Sequence, residues 1–132
     1  MEITTSSHTG RVPVTVFHLK GDLDIKTSNL LEEQAQNAYT QGTRFVILDF
    51  TGVRYVSSAG LRAIQKAWDI LRKDDSTESD SVLKKGVREG VYKSHHLKLA
   101  GLSQQVLQVL RISGYDMLLD IFPDIDSAVK AF

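Results

Sequence analysis

The chain has 132 residues, 42% of them hydrophobic, and its 16 Lys and Arg balance 16 Asp and Glu. That length suits one domain with its own core, residues 1–132, and a formal net charge of zero argues against long-range attraction to nucleic acid. The absence of cysteine excludes disulfides, thiolate metal sites and a cysteine nucleophile, and suits a reducing cytosol. Met1 to Ser6 lacks the basic flank and apolar run of a signal peptide, and no apolar segment has the length needed to span a bilayer. A soluble, cytoplasmic protein without membrane insertion is expected.

Glu2 to Ser6 reads as a short edge strand, with a turn at Thr9-Gly10. Val12 to Leu19 is rich in β-branched and aromatic residues and reads as the second strand of a hairpin. Pro13 belongs near its beginning or on an edge, because it donates no ladder hydrogen bond. The strand ends at Gly21-Asp22-Leu23-Asp24. Two acids flanking a leucine are either a carboxylate pair or, more commonly, solvated or helix-capping side chains. A helix follows, with Thr27 or Ser28 as cap, Leu31, Ala35, Ala38 and Tyr39 as its stripe, and Gly42 just past its end.

Phe45-Val46-Ile47-Leu48-Asp49-Phe50 is an apolar run with almost no polar alternation, the pattern of a strand buried on both faces of a mainly parallel sheet. The turn after it carries Ser57 and Ser58 to the start of a helix whose stripe is Leu61, Ile64, Trp68 and Leu71. Either serine can cap that helix. A helix N-terminus also tolerates negative charge, so a hydroxyl there is either a structural cap or a group presented for modification. Residues 74–94 open with an acidic, stripe-free run and continue into a basic stretch. They read as a flexible insertion, dispensable for folding.

His95 and His96 are adjacent, so on a strand they point to opposite faces and no metal site is expected. His96 to Gly101 reads as a short strand. Ser103 caps a helix with stripe Val106, Leu107 and Leu110, ended by Gly114. Met117 to Phe122 reads as a last strand, and Asp124 caps a final helix with Ile125, Ala128, Val129 and Phe132 on one face. The expected core comprises Phe45, Ile47, Leu48, Val56, Leu61, Ile64, Trp68, Leu97, Leu99, Val106 and Leu110. A serine hydrolase built on Ser58 is not expected: the histidines (His8, His18, His95, His96) have no recognisable setting, and Val56 stands where a nucleophile elbow needs glycine. No Gly-rich phosphate loop is present, and no cofactor is expected.

This order of elements resembles a STAS domain, the fold shared by anti-sigma factor antagonists and the cytoplasmic tails of sulfate transporters. Gly21-Asp22-Leu23-Asp24 is similar to the Gly-Glu/Asp-Leu-Asp that closes the family's second strand. Leu48-Asp49-Phe50 through Val56-Ser57-Ser58-Ala59-Gly60-Leu61 is similar to its strand and Asp-Ser-Ser/Thr-Gly-Leu signature. The resemblance implies an α/β fold, a mixed and mainly parallel sheet of four to five strands with about four helices. It implies an anti-sigma factor antagonist, a bacterial regulator of transcription and not an enzyme, whose partner is an anti-sigma factor with serine kinase activity. Ser58 falls at the family's phosphorylated serine, and Asp22, Asp24, Ser57, Ser58, Ala59, Gly60 and Arg62 at its partner-binding surface, with Gly60 keeping the helix start open to the partner. Ser57 replaces the signature's acid and Ala59 its following Ser/Thr. The alternative is a STAS subunit, unphosphorylated, of a membrane lipid or anion transport complex or a stress-signalling particle. A monomer or weak dimer is expected.

Overall fold

The computed structural model describes residues 1–75 and 94–132. In chain order it contains β1 (Glu2–Thr9), β2 (Pro13–Lys20), α1 (Ser28–Thr40), β3 (Val46–Gly52), α2 (Ser58–Leu71), β4 (Leu97–Ala100), α3 (Gln104–Ser113), a 3-10 turn (Tyr115–Met117), β5 (Asp120–Phe122) and α4 (Ile125–Ala131). The strands form one sheet in the order β1-β2-β3-β4-β5. β1 and β2 are an antiparallel hairpin, from Glu2 opposite Lys20 to Thr9 opposite Pro13, and every later pairing is parallel. This is the mixed, mainly parallel α/β sheet that the sequence pattern implies. The expected insertion lies mostly outside the described residues.

Both faces of β3 are buried, which is why its sequence has so little polar alternation. Val46, Leu48 and Phe50 join Phe17, Leu19, Leu97 and Leu99 beneath Leu31 and Ala35 of α1, Ile64 and Trp68 of α2, and Val106 and Leu110 of α3. On the other face Ile47 packs with Val14, Val16 and Ala100 beneath Ala128 and Val129 of α4. Phe45 and Leu61 are half-buried at the margins of these clusters rather than inside them.

Several boundaries differ from the sequence reading. β1 runs on to Thr9. Ser6 to Thr9 lack apolar alternation, but an edge strand needs only a partner ladder, and Val16 back to Pro13 supply it. The last strand begins at Asp120 rather than Met117. Gly114 turns left-handed at φ 83° to close α3, and the chain makes a 3-10 turn before it can extend. Thr27 occupies the N-cap of α1, but its hydroxyl does not cap. It bonds back into the preceding turn, donating to the Asp22 carbonyl at 2.8 Å and accepting from the Asp24 amide at 3.0 Å. Ser103 and Asp124 do cap, accepting from the amides of Val106 and Ser127.

The β2–β3 register slips between His18 and Lys20, whose partners are Asp49 and Gly52, so β3 carries one extra residue there. The bulge is held by Asp49, whose Oδ1 accepts from both the amide (3.0 Å) and the hydroxyl (2.6 Å) of Thr51.

Candidate functional site

The two sequence motifs meet at the carboxyl ends of β2 and β3. The Leu23 amide donates to the Tyr55 carbonyl at 3.0 Å, and the Ser57 amide donates to the Leu23 carbonyl at 2.9 Å. Leu23 and Val56 thus form a single parallel bridge, with both side chains buried. One layer below, the Gly21 amide donates to the Gly52 carbonyl at 3.0 Å. Alternation does the rest: burying Leu23 turns Asp22 outward and leaves Asp24 half-buried beside it.

α2 begins at this seam. Ser57 is the N-cap, its Oγ accepting from the Gly60 amide at 3.2 Å. That settles which serine caps, and leaves Ser58 in the first helical position, exposed. Ala59 is half-buried and Arg62 exposed. Gly60 is buried, facing the loop rather than solvent, and a Cβ there would stand 2.3 Å from the Leu23 carbonyl oxygen. The seam itself therefore requires glycine at this position. Asp24 is also committed within the turn, where its Oδ1 accepts from the Lys26 amide at 2.9 Å and its carbonyl takes the amides of Thr27 and Ser28. Asp22 is the more available carboxylate.

The motif reading missed two neighbours. Ile25 is 75% exposed and Tyr55 54% exposed, each beside a motif residue and each among the large apolar side chains that stand out of the surface. The signal in the sequence was an isoleucine between Asp24 and Lys26 and a tyrosine directly after Arg54. Tyr55, the adjacent Arg54 and Arg62 in α2 are all exposed, and their residue types are enriched in protein–protein interfaces. Among the described residues, no three histidine, aspartate or glutamate side chains are placed to hold a metal ion. His96 is bonded through both ring nitrogens, to the Arg44 carbonyl (2.7 Å) and Asp75 (2.8 Å). No helix among the described residues is long and apolar enough to cross a membrane.

No curated protein matches the sequence. Several solved structures match the fold. An anti-sigma factor antagonist from Mycobacterium paratuberculosis aligns at a TM-score of 0.68 and 16% identity, over 98% of this chain and 93% of its own. The Bacillus cell-fate determinant SpoIIAA in its phosphorylated form aligns at 0.62 and 16%, over 98% of both chains. A sulfate transporter family protein from Wolinella succinogenes aligns at 0.60 and 18%, over 89% of this chain and 83% of its own. At such identities the likeness is one of fold. The model of the STAS domain family matches residues 5–77, more than half of the chain. With its two motifs joined through the Leu23–Val56 bridge beside an exposed Ser58, this chain belongs to the STAS domain family.

Proposed function

We propose that the protein is an anti-sigma factor antagonist whose binding is switched by phosphorylation of Ser58. The observation that carries this reading is the exposed Ser58 hydroxyl on the first residue of α2, beside a loop that presents Asp22, Ile25 and Tyr55. In the unmodified state that surface docks on an anti-sigma factor with serine kinase activity and releases a sigma factor. A phosphate adds about −1.5 to −2 charges at pH 7. The helix N-terminus accepts that charge, and Ser57 keeps its own cap on the Gly60 amide, so the fold survives modification. The interface does not, because the new charge arrives beside Asp22 and Asp24 and must be desolvated against the partner.

The protein then acts by binding in the bacterial cytoplasm, as a monomer or weak dimer, and the switch surface needs neither cofactor nor nucleic acid. The Ser57 and Ala59 substitutions in the signature and the likeness to a sulfate transporter family protein favour one second reading. The same surface then serves a larger STAS-containing assembly, and Ser58 stays unmodified. Incubation with the cognate kinase and ATP, followed by residue mapping, separates the two. Phosphate on Ser58, with partner affinity kept in Ser58→Ala and lost in Ser58→Asp, is expected. Phosphate on Ser57, or tight kinase binding without transfer, would overturn the assignment.

A further inference from the structure

The open part of the sheet face beyond α4 carries three side chains that the switch does not use. Ser6 on β1, His18 on β2 and Asp49 on β3 lie on adjacent strands. The Ser6 Oγ is 2.7 Å from His18 Nε2, and His18 Nδ1 is 2.8 Å from Asp49 Oδ2. We propose that Ser6 is a nucleophilic serine, activated by His18 and positioned through Asp49, that takes an acyl group from small esters. Ser58 has no histidine in a recognisable setting in the sequence; in the fold, the base sits beside a different serine.

The proton positions follow from what each group can do. An ionised Asp49 only accepts, so His18 Nδ1 carries the hydrogen of that bond. The Nε2 of the neutral ring is then a lone pair, and the Ser6 hydroxyl donates to it. His8 Nε2, 3.0 Å from the same Oγ, is left as donor to a lone pair of Ser6. This is the nucleophile–base–orienter arrangement that defines an activated serine by geometry rather than by sequence position. Asp49 stays ionised in the fold: burial opposes its charge, but hydrogen bonds from the Thr51 hydroxyl and amide and from His18 outweigh that and lower its pKa. The site is reachable, since the His18 side chain is 33% exposed while that of Asp49 is 13% exposed.

A groove beside His18 is lined by Glu2, Thr4, Lys20, Thr51 and Arg54. Its two cations against one carboxylate favour an acyl group with an anionic end. In the first step Ser6 Oγ bonds to the ester carbonyl carbon and its proton passes to His18 Nε2. The bond from that carbon to the leaving oxygen breaks; the oxygen keeps the electron pair, takes the proton from His18 Nε2 and departs as the alcohol, which returns the ring to its neutral form. In the second, water attacks the acyl-serine, and His18 Nε2 takes the water's proton and hands it to Ser6 Oγ as the acyl–oxygen bond breaks and the free acid departs. Strand amides lie in the plane of the sheet, not toward its face, so neither tetrahedral intermediate has a backbone oxyanion hole. Both steps are slowed alike, but from a phenyl ester the aryloxide leaves more readily than Ser6 Oγ does, so acylation outpaces deacylation and the acyl-serine accumulates.

The test incubates the full chain with p-nitrophenyl acetate, follows p-nitrophenolate release, and maps acetyl groups by peptide mass. The expected result is a burst of one equivalent and acetyl on Ser6, absent in Ser6→Ala and kept in Ser7→Ala and Ser58→Ala. His18→Gln slows labelling by on the order of a hundredfold or more. Asp49→Asn slows it too and alters the pH profile of labelling, which a merely structural carboxylate would leave alone. Circular dichroism checks each variant, and if one of the two unfolds the other decides. Acetyl only on lysines or histidines, an unlabelled Ser6 in folded protein, or labelling at full rate in the folded variants overturns the proposal.

Discussion

Replacing Gly60 by alanine tests the seam between the two motifs. The added Cβ would lie 2.3 Å from the Leu23 carbonyl oxygen and 3.0 Å from both its carbonyl carbon and Cγ. The obstacle is backbone, so no rotamer change relieves it. The Leu23 carbonyl also accepts the Ser57 amide at 2.9 Å, so moving it strains that bond and, through Ser57, the cap on α2. Overpacking of this kind costs about 1–3 kcal/mol, and one weakened hydrogen bond about 1 kcal/mol more. Against this, alanine is favoured over glycine in a helix by up to about 1 kcal/mol. The net expectation is a loss of about 1–3 kcal/mol, read as a lower urea midpoint at unchanged m-value. Near-wild-type stability would refute the claim that Gly60 is fixed by the Leu23 carbonyl. Partner affinity measured on the same variant should fall, because the Asp22–Asp24 loop and the start of α2 can no longer close on each other.

Ser57→Ala removes the oxygen that accepts the Gly60 amide and should cost about 1 kcal/mol in chemical denaturation; no loss would mean that water replaces the cap. Ile47→Ala, in a strand whose Ile47 is fully buried against Val129 and its neighbours, should cost about 2–5 kcal/mol. A loss below about half a kcal/mol would place that side chain outside the core. The Asp49 carboxyl has its pKa lowered on folding, with burial opposing and the bonds from Thr51 and His18 prevailing. Its stabilisation is therefore full above the unfolded value and disappears as pH falls through the folded one. The stability gap between wild type and Asp49→Asn should narrow below about pH 4; a gap independent of pH would show that the carboxylate's charge is not what the fold uses.

The fold was legible wherever a local pattern had a local cause. The apolar run Val46 to Phe50 announced a doubly buried strand, and Gly42 and Gly114 announced helix ends through their positive φ of 99° and 83°. Ser103 and Asp124 read as caps because the amides they accept lie three residues ahead. Thr27 did not follow the rule, since a closer set of partners in the Asp22–Asp24 turn claims its hydroxyl. Position and exposure of Ser58 followed from the motif. The reason for Gly60 did not, because the carbonyl that forbids a side chain belongs to Leu23, on a distant stretch of chain. The Ser6–His18–Asp49 contacts were beyond sequence reasoning for the same reason. They span separations of 12 and 31 residues, and only the hairpin register and the parallel pairing of β2 with β3 bring them side by side.

The sheet order β1-β2-β3-β4-β5 repeats the order of synthesis. A chain leaving the ribosome can add each strand to an edge that already exists, without holding a gap open for one still to be translated. The first face is roofed early in this sequence, by α1 and α2, before β4 has emerged. The second has to wait for Ala128 and Val129 of α4 to cover Val14, Val16 and Ile47. Until then the nascent domain is a nearly complete sheet with one greasy side bare, and that side is the part of its surface a ribosome-associated chaperone would meet.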